Sequence, residues 1–162
     1  MLMQYLKISL GIFFTLAASR FIPHPPNFTS LIALSFYVPA LLGIIYTPAL
    51  ILSFMITDLI IGFHKITFFT WGSVIFISLI SQFFKSYIHK RIFGVLMGAL
   101  LFFVITNFGV WSFGYYGYDL TGLVECYIVA LPFFGNTIVS TILFSALIEL
   151  IYNRFSFKFR NL

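Results

Sequence analysis

The chain has 162 residues, of which 61% are hydrophobic and 8% charged, and its net charge is +5. A water-soluble domain carries roughly half apolar and a quarter charged residues, so a soluble core protein is excluded, and the apolar runs leave no room for a soluble domain beside them. The Lys and Arg residues sit in short connections and in the C-terminal tail, so they read as topology determinants and contacts to anionic lipid rather than as a nucleic-acid surface.

Six apolar stretches near the ~17–25 residues of a membrane span predict an all-α, polytopic bundle of six transmembrane helices. They cover about 2–21, 30–46, 48–63, 67–85, 92–110 and 125–152 in a single domain, 1–162. Helix 1 ends at Arg20-Phe21-Ile22-Pro23-His24-Pro25-Pro26-Asn27, where closely spaced prolines remove donors and force extended geometry. Its Lys7, the run Ile8 to Leu16 and Ala17-Ala18-Ser19 also fit a signal peptide, but the run is long enough for a full span.

Helices 2 and 3 are parted by Thr47-Pro48, and Pro48 reads as the first turn of a new helix after a sharp reversal. Lys85 to Arg91 is the polar connection between helices 4 and 5, and Ser112 to Val124 is the long loop before helix 6. With both termini cytoplasmic, Lys7, Lys85, Lys90, Arg91, Arg154, Lys158 and Arg160 lie inside and only Arg20 and Lys65 outside, a clear positive-inside bias. A multi-pass protein of the inner, cytoplasmic membrane is expected. The Pro-rich loop, the His64-Lys65 turn and the Tyr-rich loop would then share the outer face.

Asp58 is the strongest single signal. A carboxylate near mid-span costs about 2.5–3.5 kcal/mol on insertion scales and persists only with a partner or a water-filled cavity. Arg20, His64 and Lys65 are its natural partners, either as a helix-locking ion pair or as neighbours in a cavity. His24 and His64 have no metal-ligand spacing, and no metal or cofactor is implied. Asn107 and Asn136 stand beside Gly or Pro, where a bent helix frees carbonyls, and can bond to a polar ligand or across helices. Trp111, Phe113, Tyr115, Tyr116 and Tyr118 fit either ligand stacking or an interfacial belt. Asn27 opens an Asn-Phe-Thr glycosylation pattern, read as chance in so Pro-constrained a loop. The lone Cys126 permits no internal disulfide and reads as a small buried residue.

Gly11, Thr15 and Ser19 recur at four-residue spacing along helix 1, and Gly94 and Gly98 form GxxxG in helix 5. Both stripes admit a close helix, internal or from a membrane partner. The chain has no phosphate-binding P-loop and no nucleophile or H-E-x-x-H signature, so it is not expected to be an enzyme or to drive transport with ATP on its own.

The runs Ala18 to Thr29, Thr57 to His64, Thr106 to Trp111 and Leu131 to Thr137 resemble a family of small bacterial integral membrane proteins. That family is similar to the substrate-binding S components of energy-coupling factor (ECF) vitamin transporters. The resemblance implies a micronutrient site between outer loops and helix ends, and docking on a transmembrane coupling subunit driven by ATPases. The Ala-x-x-x-Ala stripe common on helix 1 of S components is replaced here by Gly11, Thr15 and Ser19.

The expected function is therefore capture and inward passage of a small nutrient, with Arg20, His24, Asn27, Asp58, His64, Asn107, Trp111 and Asn136 as the site. A scaffold or assembly subunit, or an intramembrane lipid or isoprenoid enzyme using Asp58 and His64, are the alternatives. An outer cavity lined by the polar set favours transport; a solid core with Asp58 paired favours the scaffold.

Overall fold

A computed structural model describes residues 2–160, with side chains as far as Arg154. Its helices are α1 (Leu2–Phe21), α2 (Leu31–Tyr37), α3 (Thr47–Ile61), α4 (Thr67–Phe84), α5 (Ile88–Ser112) and α6 (Leu120–Arg160), and the described residues form no strand. Five helical segments are long and apolar enough to cross a membrane: 2–21, 44–61, 67–84, 88–112 and 120–154. Large apolar side chains such as Leu52, Ile60, Phe68 and Phe83 stand exposed around the bundle. Such a surface suits lipid and not water, so the all-helical chain is compatible with a multi-pass membrane protein. The connections 22–30, 62–66 and 113–119 gather at one end, called upper below; 43–46 and 85–87 lie at the lower end.

The second expected span differs most. Instead of one helix over 30–46, α2 ends at Tyr37, a wide π turn follows over Val38–Leu42, and a 3₁₀ turn over Ile44–Tyr46 leads into α3. The chain reverses at Gly43, whose φ of 107° favours glycine, and not at Thr47-Pro48. Pro39 explains the change of helix type. It has no N–H for the Ser35 carbonyl four residues earlier, and that carbonyl accepts the Ser78 hydroxyl at 3.0 Å instead. The Pro39 carbonyl in turn accepts Gln82 Nε2 at 2.9 Å. The segment 31–42 is thus too short to span by itself, yet Leu31 to Pro39 are all buried. It is the central post of the bundle, with Phe36, Tyr37, Ile77, Val95 and Ala99 packed in one cluster around it.

Helices α5 and α6 also begin earlier than the sequence suggests, at Ile88 and Leu120, so Arg91 lies inside a helix and not in a polar connection. Arg91 is buried and paired with Glu149, which removes it from the cations that flank the spans. Lys158 and Arg160, counted with it, lie outside the residues whose side chains are described.

The two small-residue stripes have different fates. On α5, a Cβ at Gly94 would stand 2.6 Å from Phe36 Cε2 and 2.7 Å from Phe84 Cβ, so the GxxxG face is filled internally by α2 and α4. On α1, Gly11 has nothing within 4 Å. Gly94→Ala should therefore lower thermal stability in detergent by about 1–3 kcal/mol, the usual range for overpacking, and Gly11→Ala should leave it unchanged. Equal stability of the two variants would contradict this packing.

Candidate functional site

The upper half of the bundle is fastened by one buried clasp. Arg20, in the last turn of α1, places Nη2 2.6 Å from Asp58 Oδ1 on α3. Its Nη1 donates to Thr57 Oγ1 at 2.5 Å, and its guanidinium lies 4.6 Å from the Phe54 ring centroid. The other carboxylate oxygen, Asp58 Oδ2, accepts the indole N–H of Trp71 from α4 at 2.7 Å. Asp58 is only 1% exposed, so both its oxygens are matched where water cannot serve them. Of the candidate partners, Arg20 is the one used.

Beside the clasp lie two cavities. The larger, about 580 Å³, has aromatic walls from Phe102, Phe103, Phe133 and Phe134, with Thr70, Thr106, Asn107 and Thr137 among them. Loop residues Asn27, His64, Lys65, Tyr115 and Tyr116 complete its lining. The smaller, about 310 Å³, is lined by residues including Arg20, His24 and Phe54. Asn27, His64, Thr70, Phe102 and Thr137 border both, so the two form adjoining compartments. Asn27, His64, Lys65 and Tyr115 are exposed, whereas Thr70, Thr106 and Thr137 are buried, so the lining runs from loops into the bundle core.

Local chemistry orients these groups. Thr67 Oγ1 accepts the His64 backbone N–H at 3.1 Å and donates to the His64 carbonyl at 2.6 Å, closing the turn that presents His64 and Lys65. Lys65 Nζ lies 5.2 Å from the Tyr115 ring centroid, joining two loops beside the cavity. Asn27 takes a left-handed φ of 63°, a region Asn tolerates better than most residues. Asn107 Nδ2 donates to the Phe103 carbonyl at 2.8 Å.

Among the sequence-predicted residues, Arg20, His24, Asn27, His64 and Asn107 line the cavities. The other three are set apart from both linings. Asp58 is sealed in the clasp. Trp111 donates its indole N–H to the Asp119 carbonyl at 3.2 Å, and Asn136 Nδ2 donates to the Pro26 carbonyl at 3.0 Å. They hold the 113–119 and 22–29 loops against the bundle. The α1 stripe is divided as well: Ser19 pairs with Ser30 at 2.7 Å, while Gly11 and Thr15 line an open apolar groove of about 380 Å³ against α2 and α6.

Thr70, Thr106 and Thr137 escaped the sequence reading, because hydroxyls in apolar helices ordinarily bond their own backbone, as Thr106 does to Phe102 and Thr137 to Phe133. Trp71 gave no signal apart from any other interfacial indole. Among the described residues, no three His, Cys, Asp or Glu side chains come together as metal ligands. The chemistry on offer is non-covalent: ring faces, hydroxyls, amides, two imidazoles and two cations around the adjoining compartments.

A family model described as "Family of unknown function (DUF6580)" matches residues 2–162. The chain belongs to that family. Comparison with curated proteins and with solved structures returned no match.

The clasp generates a direct expectation for this DUF6580 member. Arg20→Gln or Asp58→Asn alone should destabilise by about 3–5 kcal/mol, because each leaves an unmatched buried charge. The double variant should lose markedly less than the sum, as measured by thermal unfolding in detergent. Additive losses would mean that the two side chains do not act as a pair.

Proposed function

We propose that the protein lies in the cytoplasmic membrane with both termini inside, binds a small aromatic or heterocyclic nutrient in its upper cavity, and serves in its inward transport. The single observation that carries this reading is the 580 Å³ hollow with phenylalanine walls and a few polar groups. Ligand sites typically have ~300–1,000 Å³, mostly apolar walls and few polar groups, and ring faces favour a flat ligand. The orientation is supported by Lys7, Lys85, Lys90 and Arg154 at the lower end, against Lys65 and the clasped Arg20 at the upper.

Working as an S-component-like subunit needs a face for a transmembrane coupling partner. Exposed Gly11 and Thr15 suit that use, and Ser19 does not, because it is bonded to Ser30. The sealed Arg20–Asp58 pair favours a second reading, a scaffold subunit whose buried charges only lock helices. The cavity weighs against it, since a purely structural bundle gains nothing from unfilled space.

Mass spectrometry of small molecules extracted from protein purified in mild detergent separates the two. One compound should accompany the wild type in near-stoichiometric amount. Its affinity should fall about two- to tenfold in Asn107→Ala, corresponding to ~0.5–1.5 kcal/mol for one hydrogen bond. Absence of any stoichiometric compound, or retention unaffected by Asn107→Ala and Phe103→Ala, would favour the scaffold.

A further inference from the structure

Below the cavity, α6 carries a polar row of which the binding site uses only the top member. Thr137, Thr141, Ser145 and Glu149 follow one another at four-residue intervals, which places them on one face of the helix. They are 4%, 0%, 4% and 5% exposed, so this face is buried in the bundle. At 1.5 Å per residue the row descends about 18 Å. Its top member, Thr137, lines both upper compartments.

The two hydroxyls that follow Thr137 in the row behave unlike most others on these helices. Ser35, Ser53, Ser73, Ser78 and Thr106 each donate to the carbonyl four residues earlier on their own helix. Thr141 Oγ1 and Ser145 Oγ are buried with no partner, as is the phenol oxygen of Tyr37 on α2. That phenol lies beside Ser145 and Glu149. Of the five such unpartnered oxygens among the described residues, two belong to the α6 row and a third, the Tyr37 phenol, lies beside Ser145. Buried hydroxyls are normally paired, so unpartnered ones along one buried helix face call for water or for a polar group in passage.

At the foot of the row, Arg91 on α5 grips Glu149 with two parallel bonds, Nε to Oε1 at 2.6 Å and Nη2 to Oε2 at 2.7 Å. Arg91 Nη1 also donates to the Lys85 carbonyl at 3.2 Å. A buried pair of this kind is often no more stabilising than apolar residues of the same volume. Intramembrane ionisable groups more often mark pathways. A groove of about 340 Å³ between α5 and α6 reaches both Ser145 and Glu149 and extends to Asn153, beside the pair.

We propose that this hydroxyl row is the lower half of a transport route through the bundle, and that the Arg91–Glu149 pair is its lower gate. The inference rests on the transport reading and deepens it. Ligand leaving the upper cavity passes along Thr137, Thr141, Ser145 and Tyr37 when the pair parts, and exits between α5 and α6. The route is shut at Thr141 in this structure, since that side chain has no accessible surface, and this position meets water only while the gate is open.

Cysteine accessibility in proteoliposomes tests the route without knowledge of the ligand. Thr141→Cys, Ser145→Cys and a control on the exposed face of α6, Leu143→Cys, are made singly with Cys126→Ala and treated with 2-aminoethyl methanethiosulfonate. This reagent needs a thiolate in contact with water. The row positions should react at least tenfold faster than the control, and Ser145→Cys about tenfold faster again when combined with Glu149→Gln. Rates at residues 141 and 145 no higher than at the control would overturn the route. Reaction at the row that is indifferent to Glu149→Gln in folded protein would overturn the gate. If Glu149→Gln fails to fold, Arg91→Gln opens the same pair, and the comparison with Leu143→Cys decides the route without either variant. A dry row would leave the upper cavity and its co-purifying compound untouched, so failure here is distinct from failure of the binding reading.

Discussion

A carboxylate at the core of an apolar bundle has to be matched, and the way Asp58 is matched organises the upper half of this protein. One oxygen takes Arg20 from α1 and the other takes Trp71 from α4, so a single side chain on α3 ties three helices together. The Arg20 guanidinium also covers the Phe54 ring and bonds to Thr57, which leaves it little freedom. Because α1 ends and α4 begins beside this knot, the Pro-rich loop and the His64-Lys65 turn start from fixed points. Asn136 and Trp111 then hold the Pro-rich and Tyr-rich loops by bonds to the Pro26 and Asp119 carbonyls. The cavity among the loops is a consequence of this fastening. Asp58 serves the site as its frame and is not part of its lining.

The lower half follows a different constraint. Pro39 withholds a backbone donor and Gly43 turns the chain, so α2 stops partway and α3 begins without a second full span. The carbonyls freed by this interruption are claimed by Ser78 and Gln82 from α4. A short central post surrounded by longer helices leaves the α6 polar row facing α2 and α5, closed by Arg91 and Glu149. A buried pair thus stands toward each end, with a hollow near one and unpartnered hydroxyls between.

Much of the architecture was legible wherever backbone chemistry punctuates the chain. The prolines after Arg20 end α1, and α3 and α4 fall close to the expected limits. The second helix was misjudged because its apolar composition outweighed Pro39 and Gly43, the two residues within 30–46 that interrupt it. The starts of α5 and α6 were placed too late because charge and polarity were taken as loop. Arg91 shows why this fails: a cation near a helix end is a surface anchor or a buried partner according to what faces it, and Glu149 is 58 residues away in sequence. Within the candidate site, the loop residues and Asn107 were recoverable as polar groups in an apolar chain. Asp58, Trp111 and Asn136 were equally conspicuous, yet their bonds turn them to structural work. The phenylalanine walls could not be singled out, because 23 Phe are spread throughout.

The central claim is that the upper hollow exists to hold a ligand and that the frame around it is independent of occupancy. Ala130 lines that hollow and takes no part in the Arg20–Asp58 clasp, so Ala130→Trp fills the space with little disturbance elsewhere. Native mass spectrometry of wild type and Ala130→Trp, purified side by side, measures this most directly. The account predicts a bound small molecule on the wild type and none on a folded, monodisperse Ala130→Trp protein. The same bound mass on both would contradict it.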